Sequence, residues 1–301
     1  MKHMIDFLYN NAGSTIIYRI KKEILNDITN QEACELQRKI LQEKDIQYIL
    51  NNRQKDGWLG TCFHSRMRGA KNLDVCEAAL KFLQEKGVSL EHEVFDNLCH
   101  AYFTRDKNDP IYDGFEKYYD VYDFAAWGLW LIRAAGLARI GKEESEGMTK
   151  AIKLSLNSFF DVLNYSCIEE ACSVSKNGTY YFSKGVLWPC KYHLEILAYT
   201  HGWRSQDNIK RLAMAIDHLF TISEPGKPIY TKIKNSYHSP CDEFIKSPIS
   251  QFRADNMSGD WFYKMELFAR CGIIPYSKYL SNELELLKQS IDSDGMYWLL
   301  N

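Results

Sequence analysis

"RQKDGWLG", Arg53 to Gly60, stops a long helix-forming run abruptly. Asp56-Gly57 is turn chemistry, because Asp folds back on nearby backbone and Gly accepts the left-handed conformation. Gln54 adds an amide able to satisfy backbone groups left open at a helix end, and Trp58 adds bulk to seal the turn. "KQSIDSDGMYW", Lys288 to Trp298, repeats the order Gln, Asp-Gly, Trp near the other end of the chain. Two distant helices closed by the same device imply a repeated unit.

Between these two stretches helical periodicity dominates. "TNQEACELQRKILQEKDIQYILNNR", residues 29–53, opens with a capping box, Thr29 with Glu32, and predicts a helix over 29–52. Amphipathic stripes predict further helices over 205–222 and 277–291. Strand-like alternation is confined to "GTYYFSKGV" and "KPIYTKIKNSY", which can form short hairpin pieces. The class is all-α with loops.

A second kind of helix is interleaved with the first. "DVCEAALKFLQEKGV", "YDFAAWGLWLIRAAGL", "WPCKYHLEILAYTHGW" and "GDWFYKMELFARCGI" are largely apolar and run to Gly87, Gly136, Gly202 and Gly272. Gly after a last turn is a left-handed C-cap signal. Amphipathic helices then start near Ser89, Ser205 and Ser277. An apolar helix, a Gly turn and an amphipathic helix make a helical hairpin, and its recurrence predicts an array or closed ring with apolar helices inside.

The Gln, Asp-Gly, Trp order resembles the QW motifs of squalene cyclases and related terpenoid cyclases, where an outer helix ends in the same way. The resemblance implies an α/α toroid of the terpenoid cyclase and protein prenyltransferase type. It would form a single domain over 1–301 with about five hairpins, inner helices apolar and outer helices amphipathic. It also implies that the Gln caps a neighbouring helix, and that Trp58 and Trp298 sit at helix junctions. The family's D-x-D-D proton donor is absent, and its zinc-binding D-x-C has only "HSPCDEF", with Cys241 and Asp242 reversed. The implied function is a central aromatic-lined cavity for an apolar, isoprenoid-type small molecule, with the reaction open.

Aligning the apolar helices on their glycines gathers Asp74, Asp123, His193 and Asp260 near their N-terminal turns, as candidate catalytic groups at one rim. Trp127, Trp188, Trp261 and Tyr263 are the candidate substrate-binding aromatics around it. The same Asp residues also suit helix N-caps. "CFHSRMRGAKN", Cys62 to Asn72, adds His64, Arg66 and Arg68, a set able to bind a phosphate or carboxylate, or else a solvated loop. Cys190-x-x-His193 and His238-x-x-Cys241 have metal-ligand spacing, but buried thiols and ordinary histidines account for them more simply, so no metal is expected.

Three function classes stay open: an enzyme-like toroid, a non-catalytic scaffold binding a peptide or small ligand, and a carbohydrate-processing α/α barrel using Asp74 with Asp123. No phosphate loop, nucleophile elbow or nucleotide fingerprint is present, so no cofactor is expected. A formal charge of -2 gives no electrostatic case for nucleic acid or an anionic membrane. The start, "MKHMIDFLYNNAGST", holds too short an apolar run for an export signal, and nine scattered cysteines read as reduced thiols. The expectation is a soluble, cytoplasmic protein without membrane insertion.

Overall fold

A computed structural model describes residues 2–64, 72–106, 109–112, 129–183, 185–223, 229–233, 236–238 and 259–292. The protein is mostly helical. It divides into two compact units, Met1–Val121 with Arg139–Lys142, and Tyr122–Ala138 with Glu143–Asn301. No helix among the described residues is long and apolar enough to cross a membrane.

The first unit opens with α1 (Lys2–Asn11) and α2 (Ser14–Arg19), which runs on as a π-helix over Ile20–Leu25. The expected helix over 29–52 is two helices, α3 (Asn30–Leu41) and α4 (Lys44–Asn51), and the Thr29–Glu32 capping box is formed. Its break has a reason in the pattern. Leu41 and Ile46 are five apart, one residue too many for a continuous stripe, and the break lets Ile40, Ile46 and Ile49 all be buried. After them come α5 (Cys76–Glu85) and α6 (Glu93–Thr104).

The second unit contains nearly all of α7 (Leu129–Arg139), then α8 (Met148–Val162), the single turn α9 (Ile168–Ala171), α10 (Lys191–Tyr199), α11 (Gln206–Ile222), α12 (Gly259–Arg270) and α13 (Lys278–Gln289). A small sheet joins them, in the order β1 (Cys172–Val174), β2 (Tyr180–Phe182), β3 (Ile229–Ile233), β4 (Ser236–His238). Both strand-like stretches supply strands. They form more than isolated hairpins, however, because β2 and β3 pair in parallel, Tyr180 opposite Ile229.

Within this unit α10 packs against α8 and α12, while α11 packs against α8 and α13. Six consecutive residues of α10, His193 to Ala198, are buried, so this helix is covered on every side. α11 and α13 keep a solvated face, with Met214 exposed on α11 and Lys288 on α13. α7 and α10 have no exposed residue among those whose burial is described, whereas α12, also expected to be buried, exposes Phe262 and Ala269.

The glycines divide. Gly87 and Gly272 are left-handed, with φ of +76° and +74°. Each closes a Schellman turn: Val88 N–H donates to Leu83 C=O, and Ile273 N–H to Phe268 C=O. Gly136, expected to end its helix, lies inside α7, and the left-handed glycine beyond that helix is Gly141. Gly202 is not left-handed. The end of α10 is satisfied by side chains instead, the Trp203 indole donating to Leu197 C=O and the Arg204 guanidinium to Ala198 and Thr200.

Each of three inter-helix turns is clamped by a side chain from far upstream. The Gln37 amide on α3 donates to Gly87 C=O at 2.6 Å and accepts from Ser89 N–H at 2.9 Å. The Glu143 carboxylate accepts from His201 and Gly202 N–H, both at 2.7 Å. Asp217 on α11 accepts from the Ser277 hydroxyl at 2.5 Å and from Lys278 and Tyr279 N–H at 2.9 and 3.1 Å, holding the start of α13. Replacing Asp217 by Ala strands all three donors and should lower the unfolding free energy by about 1–3 kcal/mol. Denaturant melts of D217A beside an exposed control such as Lys210→Ala would measure it, and equal loss in both would refute the clamp.

Candidate functional site

The best-defined polar site lies in the first unit, where the loop after the Arg53–Gly60 turn runs beside the start of α5. Its foundation is the turn itself. Gly57 (φ +95°) sits so close to α6 that a Cβ would stand 2.6 Å from the Asn97 backbone. Gly60 (φ +70°) lies against the Asp74 carbonyl, where any side chain would collide. Only glycine fits either position.

Gln54 does not cap a helix as the resemblance implied. Its amide donates to Gly60 C=O at 2.8 Å, within its own loop, and accepts from Arg105, the C-cap of α6, at 2.8 Å. The amide that reaches a turn between helices is Gln37. Trp58 is fully buried, edge-on to Tyr102 and Tyr112 and tilted against Phe63. The Arg105 guanidinium lies 5.1 Å from its ring centroid and also pairs with Asp56 and Asp109. Trp58 is therefore a junction residue, as expected. Trp298 lies outside the described residues.

With the turn fixed, Cys62 bridges Val75 in parallel, and the chain zips onto α5: Thr61 N–H to Asp74 C=O, Cys76 N–H to Cys62 C=O, Glu77 N–H to Phe63 C=O. Asp74 ends a 3-10 turn, Asn72–Asp74, and is not the N-cap of α5, which is Val75. Its carboxylate accepts from the Tyr48 hydroxyl at 2.5 Å, and that bond, ahead of desolvation, raises the phenol pKa. Three residues on, the Glu77 carboxylate meets His64 Nδ1 at 2.5 Å, both side chains half-buried. Two carboxylates at one helix start thus hold one Tyr and one His. Sequence reading singled out Asp74 and His64 but missed Tyr48 and Glu77, whose only signal was the i, i+3 spacing of the carboxylates.

The remaining candidates in the second unit are differently used. His193 is buried at the third position of α10, and its Nδ1 accepts from Cys190 N–H at 3.0 Å, completing a capping box whose other half is the Cys190 side chain. The proposed metal half-site is thereby a helix cap; Cys241 and Asp242 lie outside the described residues, as do Arg66 and Arg68. Among the described residues no three His, Cys, Asp or Glu side chains gather as metal ligands do. Trp188 is buried against Tyr165 and Phe182. The Trp261 indole donates to the buried Glu283 carboxylate at 3.2 Å, and Tyr263 donates its hydroxyl to the buried Glu195. Asp260 falls in the first turn of α12. Asp123 and Trp127 lie outside the described residues. The structure thus joins Asp74 with Tyr48 and His64 with Glu77, and Tyr263 with Glu195.

No protein-family model, curated protein or solved structure matches the chain.

Two outcomes follow from this geometry. Trp58→Ala empties the centre of an aromatic cluster and should cost about 3–5 kcal/mol of stability; a melt unchanged from the parent would refute the junction role. Burial pushes the Cys76, Cys190 and Cys271 thiols up to about 12. Unfolded thiols ionise near pH 8.5, so between there and about 12 the unfolded chain binds fewer protons than the folded one. Stability should then fall as pH rises through that window, by about 1.4 kcal/mol per unit for each thiol in the unit that unfolds. Chemical denaturation from pH 7 to 11 would read the slope, and a flat profile would contradict the burial.

Proposed function

We propose that this chain is a divergent α/α toroid-type protein, of the terpenoid cyclase and prenyltransferase kind, that binds an apolar small molecule. The observation that carries this reading is the order of helix packing in the second unit. There, apolar α10 packs against apolar α12, amphipathic α11 packs against α8 and α13, and α8 touches both α10 and α11. Consecutive hairpins laid side by side produce that order, and an irregular bundle has no reason to. The clamped turns support it, since each ties one hairpin to another 50 to 62 residues away.

In this reading the second unit holds the ligand, with Trp188, Trp261 and Tyr263 supplying aromatic surface. The setting is the cytoplasm, in keeping with cysteines that form no disulfide among the described residues. A second reading, the non-catalytic scaffold, draws on one specific observation: His193, a candidate acid/base, is engaged as a helix cap.

Tryptophan fluorescence titrated with farnesyl diphosphate, squalene and a maltooligosaccharide tests the proposal. A saturable change with either isoprenoid and none with the sugar is the expected result. A response only to the oligosaccharide, or to none of the three, would overturn it. Turnover of a bound isoprenoid would separate the enzyme from the scaffold.

A further inference from the structure

The first unit holds a cleft lined by none of the candidate residues discussed above. α2 and the π-helix that continues it form one wall, and the last turn of α5 forms the other. The space between them is about 430 Å³, within the ordinary size range of small-molecule sites. Ile20 is buried at 4% exposure, while Ile16 and Ile24 stand 43% and 61% exposed, and Phe82 faces them from α5.

The change of helix form explains how the isoleucines line up. Four residues are slightly more than one turn of an α-helix and slightly less than one turn of a π-helix. The drift between Ile16 and Ile20 is therefore reversed between Ile20 and Ile24, and all three line the cleft. A continuous α-helix would carry Ile24 away from it. π-Helical turns are rare and concentrate at functional sites. This one is closed by Asn26 in the left-handed conformation, φ +50°, which is uncommon outside glycine.

The charges around the cleft are committed to one another. Arg19 meets Glu23 through two bonds of 2.9 Å. Lys86 meets Glu43 at 2.9 Å and lies 5.4 Å from the centroid of the Phe82 ring. Glu85 pairs with Lys81 at 3.6 Å. A charged ligand would have to break one of these pairs, so the lining favours a neutral one. One polar feature remains to orient it. The carbonyls of Glu85 and Lys86 end α5 here, accepting from Arg19 at 3.5 Å and from the Thr15 hydroxyl at 3.1 Å. A carbonyl oxygen has a second lone pair, and a helix C-terminus is the negative end of its dipole. A hydroxyl donor suits that position, and an anion does not.

We propose that this cleft binds a neutral aliphatic alcohol, its chain lying on Ile16, Ile20, Ile24 and Phe82 and its hydroxyl donating to the carbonyl end of α5. A cavity of roughly 150 Å³ holds benzene, so a chain of roughly ten to eighteen carbons fills this one. The site lies wholly within the first unit and does not depend on the ligand reading for the second.

The test is methyl NMR of the isoleucine-labelled full chain, titrated with dodecanol and with dodecanoate. The alcohol should shift the Ile16, Ile20 and Ile24 methyls saturably and leave Ile291, an exposed isoleucine of the second unit, unmoved. Dodecanoate should bind several-fold more weakly. Ile24→Glu, at a position already exposed, should weaken the alcohol several-fold with circular dichroism unchanged, and Ile16→Trp, which fills the cleft, should do the same. Equal shifts at Ile291 would mean partition onto any apolar surface, and a carboxylate bound as tightly as the alcohol would mean that the paired cations are open to anions. Concentration-dependent shifts without ligand, with a doubled mass in sedimentation, would give the cleft to a second copy of the chain. Each of these results would overturn the proposal, as would methyls that never shift or variants that bind like the parent.

Discussion

Every helix leaves backbone donors at its start and carbonyls at its end, and a chain of short helices multiplies the problem. In this protein distant side chains solve it. Gln37, Glu143 and Asp217 each reach a turn 50 to 62 residues on and satisfy two or three backbone or capping groups there. The bonds to the Glu143 and Asp217 carboxylates are charge-assisted and stabilise more than neutral ones, and all three clamps fix which turn lies beside which side chain. Packing alone gives helices many near-equivalent placements. The clamp selects one, and the layering of α8, α10, α11, α12 and α13 depends on it.

The Arg53–Gly60 turn is a denser version of the same principle. Arg105, at the end of α6, gathers Gln54, Asp56 and Asp109 while its guanidinium faces Trp58. Hydrogen bonds, ion pairs and a cation–π contact therefore converge on one residue, so the end of α6 and the turn cannot move independently. The consequence reaches the polar site. Because Gly60 can lie against Asp74, the following residues run beside α5, and His64 is delivered to Glu77. Stability in the aromatic cluster and geometry in the site are one arrangement.

In the second unit α10 and α13 each carry a carboxylate into apolar surroundings. Glu195 and Glu283 are 5% and 2% exposed, a placement that is costly without a hydrogen-bond partner. Each has one on α12, the Tyr263 hydroxyl and the Trp261 indole. Tyr and Trp suit this task, since each buries a large ring and still offers a donor. Aromatics that look like cavity lining in sequence can thus be the means by which buried carboxylates are tolerated.

Sequence by itself determined what local physics determines. The apolar and amphipathic stripes identified most of the longer helices. Ser205, Ser277 and Thr29 marked true N-caps, and Gly87 and Gly272 true C-caps. All of these depend on residues within a turn or two of one another. The failures share the opposite cause. Gly136 reads as a cap only if α7 stops there, and Gly202 only if nothing else satisfies the end of α10, which Trp203 and Arg204 do. Gln37 looks like any surface glutamine until Gly87 is brought beside it, and Glu77 like any first-turn acid until His64 arrives. Cys190 and His193 have metal spacing in the chain, yet the i, i+3 geometry that would present them to an ion also lets them cap their own helix. A side chain's partners are set by which backbone groups remain unsatisfied nearby, and that is decided only when distant segments meet.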